Sequence, residues 1–119
     1  MPVIGQLLAG YDVALVQEDW AHGKALAGST RAALRIAGNA ARSPWLRSLS
    51  FFCGACGSGL VLFSGLGEER LLAAESLPYD RCADWILGAN DCWATKGFIY
   101  ARLRLASGAE LDVVNTHLE

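Results

Sequence analysis

The segment from residue 96 to residue 118, KGFIYARLRLASGAELDVVNTHL, constrains the fold more than any other part of the chain. Residues 98–105 are rich in strand-forming residues, and Arg102 and Arg104 alternate with Leu103 and Leu105, which places both arginines on one face of a strand. A second run, LDVV at 111–114, follows a short polar stretch that contains Gly108. This arrangement predicts a β-hairpin whose return strand is buried on both faces.

Shorter patterns predict the remaining elements. A short amphipathic helix is expected before Gly10, and the Ala-rich stretch 22–41 predicts a second helix that ends near Gly38 and Asn39. The segment 77–93 has the composition of a loop. Apolar runs predict three further strands, of which the first is expected to be buried on both faces: 13–16, 48–52 and 59–64. The order of these elements indicates an α/β or α+β fold with a mixed sheet.

Length and charge narrow the class of protein. The chain has 119 residues, which fits one domain at most, and its formal net charge of -2 gives no electrostatic case for nucleic-acid binding. No apolar stretch approaches the roughly 18 residues that a membrane-spanning helix needs. The first ten residues lack the basic start and the cleavage site of a signal peptide.

The four cysteines allow two interpretations. Cys82 and Cys92 flank one loop-like segment, and a disulfide between them is our first expectation. Such a bridge forms in oxidising compartments, so it would fit a secreted or periplasmic parent protein. A zinc site is the alternative, but it needs two close pairs, and only Cys53 and Cys56 form one.

Polar residues that could carry chemistry follow the predicted strands. Glu18 comes after the first strand, where a carboxylate could hold Mg²⁺. Asn115 and His117 close the hairpin, and His117 could donate a hydrogen bond to a phosphoryl oxygen or transfer a proton. Asp91 and Lys96 bracket the loop DCWATKG, in which the lysine is a plausible phosphate contact.

Four of these motifs occur in an order that resembles the endonuclease/exonuclease/phosphatase superfamily, and within it the sphingomyelinase-like branch. YDVALVQEDW is similar to the family strand that carries a metal-binding glutamate, and GSGLVLFS resembles its SGL strand. DCWATKGFIYARLRL resembles its D-x4-K-G segment, and NTHLE resembles its THL histidine motif. The resemblance implies a two-sheet β-sandwich flanked by helices, of which residues 1–119 would supply mainly the first sheet.

The resemblance also implies a role for each matching residue. Glu18 would be a ligand of Mg²⁺, His117 would contact the scissile phosphate, and Asn115 would belong to the same catalytic motif and orient the site. Lys96 and Asp91 would be the paired loop residues near the substrate phosphate. Together they would stabilise the charge on a phosphodiester, for instance in a phospholipid such as sphingomyelin, while water attacks.

Other parts of the family pattern have no counterpart in this sequence. The resemblance implies a preceding strand with an asparagine, and later an Asp-x-Asn motif and a water-activating Asp-His pair, so we expect a partial domain that lacks the first strand and the C-terminal half. The chain by itself is therefore expected to bind Mg²⁺ weakly and to be inactive or nearly so. Two alternatives stay open: a nuclease or inositol polyphosphate phosphatase of the same superfamily, and a non-enzymatic module stabilised by its cysteines.

Overall fold

A computed structural model describes residues 2–20, 23–39, 57–81 and 94–118. Within these ranges lie two α-helices, a short 3₁₀ turn and six strands. No helix in the described ranges is long and apolar enough to span a membrane. In chain order the elements are α1 (Pro2–Leu8), β1 (Val13–Val16), α2 (Gly23–Thr30), β2 (Leu34–Ala37), β3 (Val61–Ser64), the 3₁₀ turn (Glu68–Arg70), β4 (Leu71–Pro78), β5 (Gly97–Arg104) and β6 (Glu110–Thr116).

The strands form two three-stranded sheets, which confirms the expected α+β class. The N-terminal sheet has the order β1-β3-β2, and the C-terminal sheet has the order β4-β5-β6. The sequence predicted a mixed sheet, but every strand pair in the described part of the chain is antiparallel. The predicted strand 48–52 lies outside the described residues, and so does most of the predicted loop 77–93.

The centre of the N-terminal sheet is β3, all four residues of which are buried. Val61 and Phe63 pack with Ala14 of β1 and Leu26 of α2. The strand predicted at residues 13–16 is confirmed as β1, but its burial on both faces is wrong: β1 lies at an edge of the described sheet, and Leu15 is 44% exposed. The strand that is buried on both faces is therefore the central strand, β3.

The second predicted helix is much shorter than expected. It ends at Thr30, and residues 34–37 form β2, which pairs with β3, so the predicted end near Gly38 and Asn39 is wrong. Ser29 and Thr30 bond their hydroxyls to carbonyls of the preceding turn, and Arg31 adopts a φ of 53°, which ends the helix. Ala-rich composition favours helix, but pairing with a buried central strand overrides that preference.

The predicted hairpin is confirmed as β5 and β6. In β5 the buried positions alternate with more exposed ones, from Gly97 to Leu103. The turn at Gly108 has a φ of 87°, which glycine adopts without strain. The return strand was predicted to be buried on both faces, and this is wrong: β6 is an edge strand of the described sheet, and Val114 is 57% exposed.

The sequence did not predict β4, which pairs with β5 along nearly its whole length and has a bulge between Leu71 and Ala73. Its sequence LLAAESLP consists largely of leucine and alanine, which favour helix when considered alone. The strand forms because β5 offers it a complete antiparallel ladder.

The inner faces of the two sheets meet. Asn115 is the cross-strand partner of Ile99, so both side chains lie on the same face, and Asn115 bonds to backbone carbonyls of the N-terminal sheet. On the other side of this interface, Leu62 alternates with Val61 and Phe63 and therefore points away from the helices. Leu62 and Ile99 are each 0% exposed, as expected for a core between two stacked sheets.

The outer face of the C-terminal sheet carries a cross-strand ion pair. Arg102 donates two hydrogen bonds to the Asp112 carboxylate, from Nε at 2.7 Å and from Nη2 at 3.0 Å. Tyr100 donates a third at 2.8 Å. The hydrogen bond from Arg102, followed by that from Tyr100, lowers the pKa of Asp112 below its ordinary value. The same contact with Asp112 raises the pKa of Tyr100. The pair fixes the register of the hairpin on its solvent side.

Alanine substitutions at Gly97 and Gly28 should change the free energy of unfolding in opposite directions. A Cβ at Gly97 would collide with the backbone of β4, because it would meet the Leu77 carbonyl oxygen and lie 2.9 Å from Cα of Pro78. We expect Gly97→Ala to lower the free energy of unfolding by about 1–3 kcal/mol. Gly28 in α2 has no atom within 4 Å of such a Cβ, so Gly28→Ala should raise it by roughly 0.5–1 kcal/mol.

Urea denaturation of both variants checks this pair of predictions. The two substitutions add the same methyl group, but only the one at Gly97 meets the backbone of β4. Equal midpoints for Gly97→Ala and the unmodified chain would contradict the packing described for Gly97.

Candidate functional site

The topology brings three chain segments together at one end of the two sheets. Glu18 follows the end of β1, and His117 follows the end of β6. Lys96 precedes the start of β5, which lies beside the end of β6 because Phe98 pairs with Thr116. We call Glu18, Lys96, Asn115, Thr116 and His117 the strand-end site.

Asn115 joins the two sheets beneath this site. Its side chain is 2% exposed, and its Nδ2 donates to the carbonyl of Val16 at 3.0 Å and to that of Val61 at 3.1 Å. The side-chain amide of Gln17 donates in the opposite direction, to the carbonyl of Thr116. These bonds fix the end of β1 against the end of β6 and so set the separation of Glu18 and His117.

The ring of His117 lies between an acid and a base. Its Nε2 is 3.6 Å from Oε1 of Glu18, and its Nδ1 is 3.1 Å from Nζ of Lys96. The second distance is that of a hydrogen bond, and the first is longer than one. The side chain of His117 is 24% exposed and that of Glu18 is 58% exposed, so the carboxylate can be reached from solvent.

Glu18 occupies an unusual backbone conformation. Its φ is 59°, in the left-handed region, where residues other than glycine pay a cost of roughly 1–3 kcal/mol. The ladder resumes immediately afterwards, because the N–H of Asp19 donates to the carbonyl of Gly59 at 2.9 Å. Strain of this kind persists where surrounding structure enforces it, and it concentrates at functional sites.

The glycines before β3 support this bend. Gly59 has a φ of 64°, and a Cβ there would lie 2.5 Å from Nε1 of Trp20. The indole N–H of Trp20 donates to the carbonyl of Gly57 at 3.3 Å. The GSGL motif therefore needs its second glycine because the ring of Trp20 packs directly against it, two residues after Glu18.

Thr116, the residue before His117, makes a further set of polar contacts. The Thr116 hydroxyl donates to the carbonyl of Gly97 at 3.0 Å, and its oxygen lies 2.7 Å from the hydroxyl of Tyr79. The Tyr79 ring is also close to that of Phe98, with centroids 6.4 Å apart. Sequence reasoning gave Tyr79, Thr116 and Gln17 no task. Only the THL motif itself offered a signal for Thr116.

The donor set fits Mg²⁺ only as a site with one carboxylate. Within the described ranges, no group of three or more His, Cys, Asp or Glu side chains could hold a metal ion. Mg²⁺ usually retains several waters and takes one or two carboxylates. The exposed carboxylate of Glu18 meets that minimum and would give a weak, water-rich site.

Several predicted residues cannot be placed. Asp91, Cys82 and Cys92 lie outside the described residues, as do Cys53 and Cys56. The expected disulfide, the zinc alternative and the pairing of Asp91 with Lys96 therefore stay predictions. Of the predicted site residues, the structure brings together Glu18, Lys96, Asn115 and His117.

No protein-family model matches this chain, and no curated protein matches it. The geometry around His117 is therefore the basis for a functional conclusion.

Proposed function

We propose that the strand-end site binds a phosphodiester together with Mg²⁺ and belongs to a phosphodiesterase. The observation that supports this most is the position of His117 between the carboxylate of Glu18 and the ammonium of Lys96. A metal ligand, a hydrogen-bond donor and a cation within a few ångströms are the groups that stabilise negative charge on a phosphoryl oxygen.

Each residue has a distinct task in this proposal. Glu18 would hold Mg²⁺, which when bound supplies a positive charge to the phosphoryl oxygens. His117 would direct Nε2 at one of those oxygens, and Lys96 would add a positive charge beside it. Asn115 acts beneath the site, because both hydrogen bonds that its Nδ2 donates go to backbone carbonyls.

Turnover by this chain should be slow. In the described part of the chain, the only ionisable side chains in contact with His117 are Glu18 and Lys96, and both already have tasks. Neither is left to activate the attacking water. A missing general base typically lowers the rate by about 10²–10⁴-fold.

A phospholipid is the substrate class that the surroundings of the site support. Leu118 follows His117 directly and is 68% exposed. Leu77 and Val114 are also exposed and lie on the outer face near the end of β6, where Leu77 pairs with Phe98 and Phe98 with Thr116. Exposed aliphatic groups beside a phosphate site suit an apolar substrate. Comparing the rates at which sphingomyelin, plasmid DNA and inositol phosphates are hydrolysed separates a phospholipid substrate from the nuclease and phosphatase alternatives.

The effect of Mg²⁺ on phosphodiester binding tests the proposal, and this measurement needs no turnover. We expect a soluble phosphodiester, bis(4-nitrophenyl) phosphate, to bind more tightly in Mg²⁺ than in buffer with a chelator, as measured by calorimetry. Glu18→Gln should reduce the affinity in Mg²⁺ to the chelator value, because the amide is a poor metal ligand. Glu75→Gln removes an exposed carboxylate of β4 and should retain the effect of Mg²⁺.

Equal affinity in Mg²⁺ and in chelator for the unmodified chain would refute a metal-assisted site. Equal losses in Glu18→Gln and Glu75→Gln would instead assign the effect to general charge.

A further inference from the structure

The contact between Lys96 and His117 bears on which ring nitrogen carries the proton. Nζ of Lys96 and Nδ1 of His117 are 3.1 Å apart, and both side chains are partly buried. A lysine ammonium has three N–H donors and no acceptor. Nδ1 can therefore take part in this bond only through its lone pair, and the proton of a neutral ring must lie on Nε2.

The other side of the ring selects the same tautomer. Nε2 faces Oε1 of Glu18 at 3.6 Å, which is longer than a hydrogen bond, but the negative carboxylate still favours an N–H over a lone pair on the nitrogen that faces it. The backbone of Lys96 is also held in place, because its N–H donates to the carbonyl of Ala94 at 3.1 Å and its carbonyl accepts from Tyr79 at 2.9 Å. The ammonium thus approaches the ring from an anchored position.

We infer that Lys96 is a positioning residue that holds His117 in the tautomer with the proton on Nε2. The consequence rests on the proposed function: only this tautomer presents an N–H to a phosphoryl oxygen at the place where Nε2 now meets Glu18. The opposite tautomer would present a lone pair there, which repels an anionic oxygen. Lys96 therefore contributes through His117, in addition to its own charge.

Nitrogen NMR of the ring tests the inference directly. In ¹⁵N-labelled protein, at a pH where His117 is neutral, long-range proton–nitrogen correlations separate protonated from unprotonated ring nitrogens. We expect Nδ1 of His117 to be unprotonated and Nε2 to be protonated. Lys96→Met should move the Nδ1 resonance downfield as its hydrogen bond is lost, and Lys96→Arg, which keeps a donor, should restore it. Lys24→Met, at the exposed lysine of α2, is the matched control and should leave both resonances unchanged.

The Glu18→Gln variant separates the effect of Lys96 on the tautomer from the effect of Glu18. In Glu18→Gln the neighbouring amide can donate or accept, so it no longer selects a tautomer. Lys96 alone should then keep the proton on Nε2, whereas Glu18→Gln combined with Lys96→Met should give a mixture, with both nitrogen resonances moving towards their average.

Two results would overturn the inference: a proton on Nδ1 in the unmodified chain, or ring resonances that are identical with and without Lys96. If Lys96→Met does not fold, the spectra of the unmodified chain, Glu18→Gln and Lys96→Arg still decide the question. All spectra are recorded without phosphodiester or Mg²⁺. Failure of phosphodiester binding would therefore remove the proposed function and leave the tautomer result intact.

Discussion

The chain carrying His117→Ala should bind bis(4-nitrophenyl) phosphate in Mg²⁺ roughly 10- to 100-fold more weakly than the unmodified chain. A hydrogen bond to a charged group contributes about 1.5–3 kcal/mol, and about 1.4 kcal/mol corresponds to tenfold in affinity. His117 is also the group that separates Glu18 from Lys96, at 3.6 Å and 3.1 Å. Its removal allows those two charges to rearrange, and the donor position is lost together with the ring.

Calorimetric titration of both chains measures this loss. The only other histidine, His22, provides the matched control, because His22→Ala removes the same ring elsewhere in the sequence. His22→Ala should bind as the unmodified chain does. Undiminished binding by His117→Ala would mean that the phosphodiester does not contact the strand-end site, and the proposed function would fail with it.

The sequence predicted an element well where its pattern of apolar and polar residues matches the burial of that element in the fold. The alternation in β5 survives because one face is buried and the other is solvated. β2 and β4 were missed for the opposite reason. Ala37, Ala73 and Ala74 favour helix locally, and only the ladders offered by β3 and β5 make these segments strands.

Burial of the strands could not be predicted either, because it depends on the position of a strand within its sheet. The apolar runs of β1 and β3 look alike in sequence, yet β3 is central and β1 lies at an edge. In β6, Val114 is exposed because it lies on the outer face of its sheet, opposite Tyr100.

The motifs indicated the members of the site but not how they act on one another. Glu18 was expected to hold Mg²⁺, and Lys96 and His117 were expected near a phosphate. A sequence carries no information about which of these side chains would touch. The structure places Lys96 against Nδ1 and Glu18 against Nε2, so the ring is held from both sides. The strained φ of Glu18 had no signal in the sequence.

Asn115→Asp should destabilise the fold by about 3–5 kcal/mol at neutral pH, the usual cost of leaving a buried charge uncompensated. The side chain is 2% exposed, and its Nδ2 serves two backbone carbonyls, those of Val16 and Val61. A carboxylate offers neither carbonyl a donor and places negative charge beside both. Small domains have only about 5–15 kcal/mol of stability in total, so this loss is a large fraction.

The penalty should depend on pH in a defined direction. Burial next to two carbonyls raises the folded-state pKa of the introduced carboxyl above the value of about 3.9 that it has in the unfolded chain. Below pH 3.9 the carboxyl is neutral in both states, so the charge penalty is absent. As pH rises towards the raised folded pKa the unfolded chain ionises first, and the stability of the variant falls relative to the unmodified chain. Above that pKa the difference is constant.

Urea denaturation of both chains from acid to neutral pH measures this profile. Gln6→Glu is the matched control, since it makes the same amide-to-carboxylate change at an exposed residue of α1, away from the contact between the sheets. It should cost no more than about 0.5 kcal/mol, because solvent accommodates the charge. If Asn115→Asp behaved like Gln6→Glu at every pH, Asn115 would not join the two sheets, and the separation of Glu18 and His117 would need another cause.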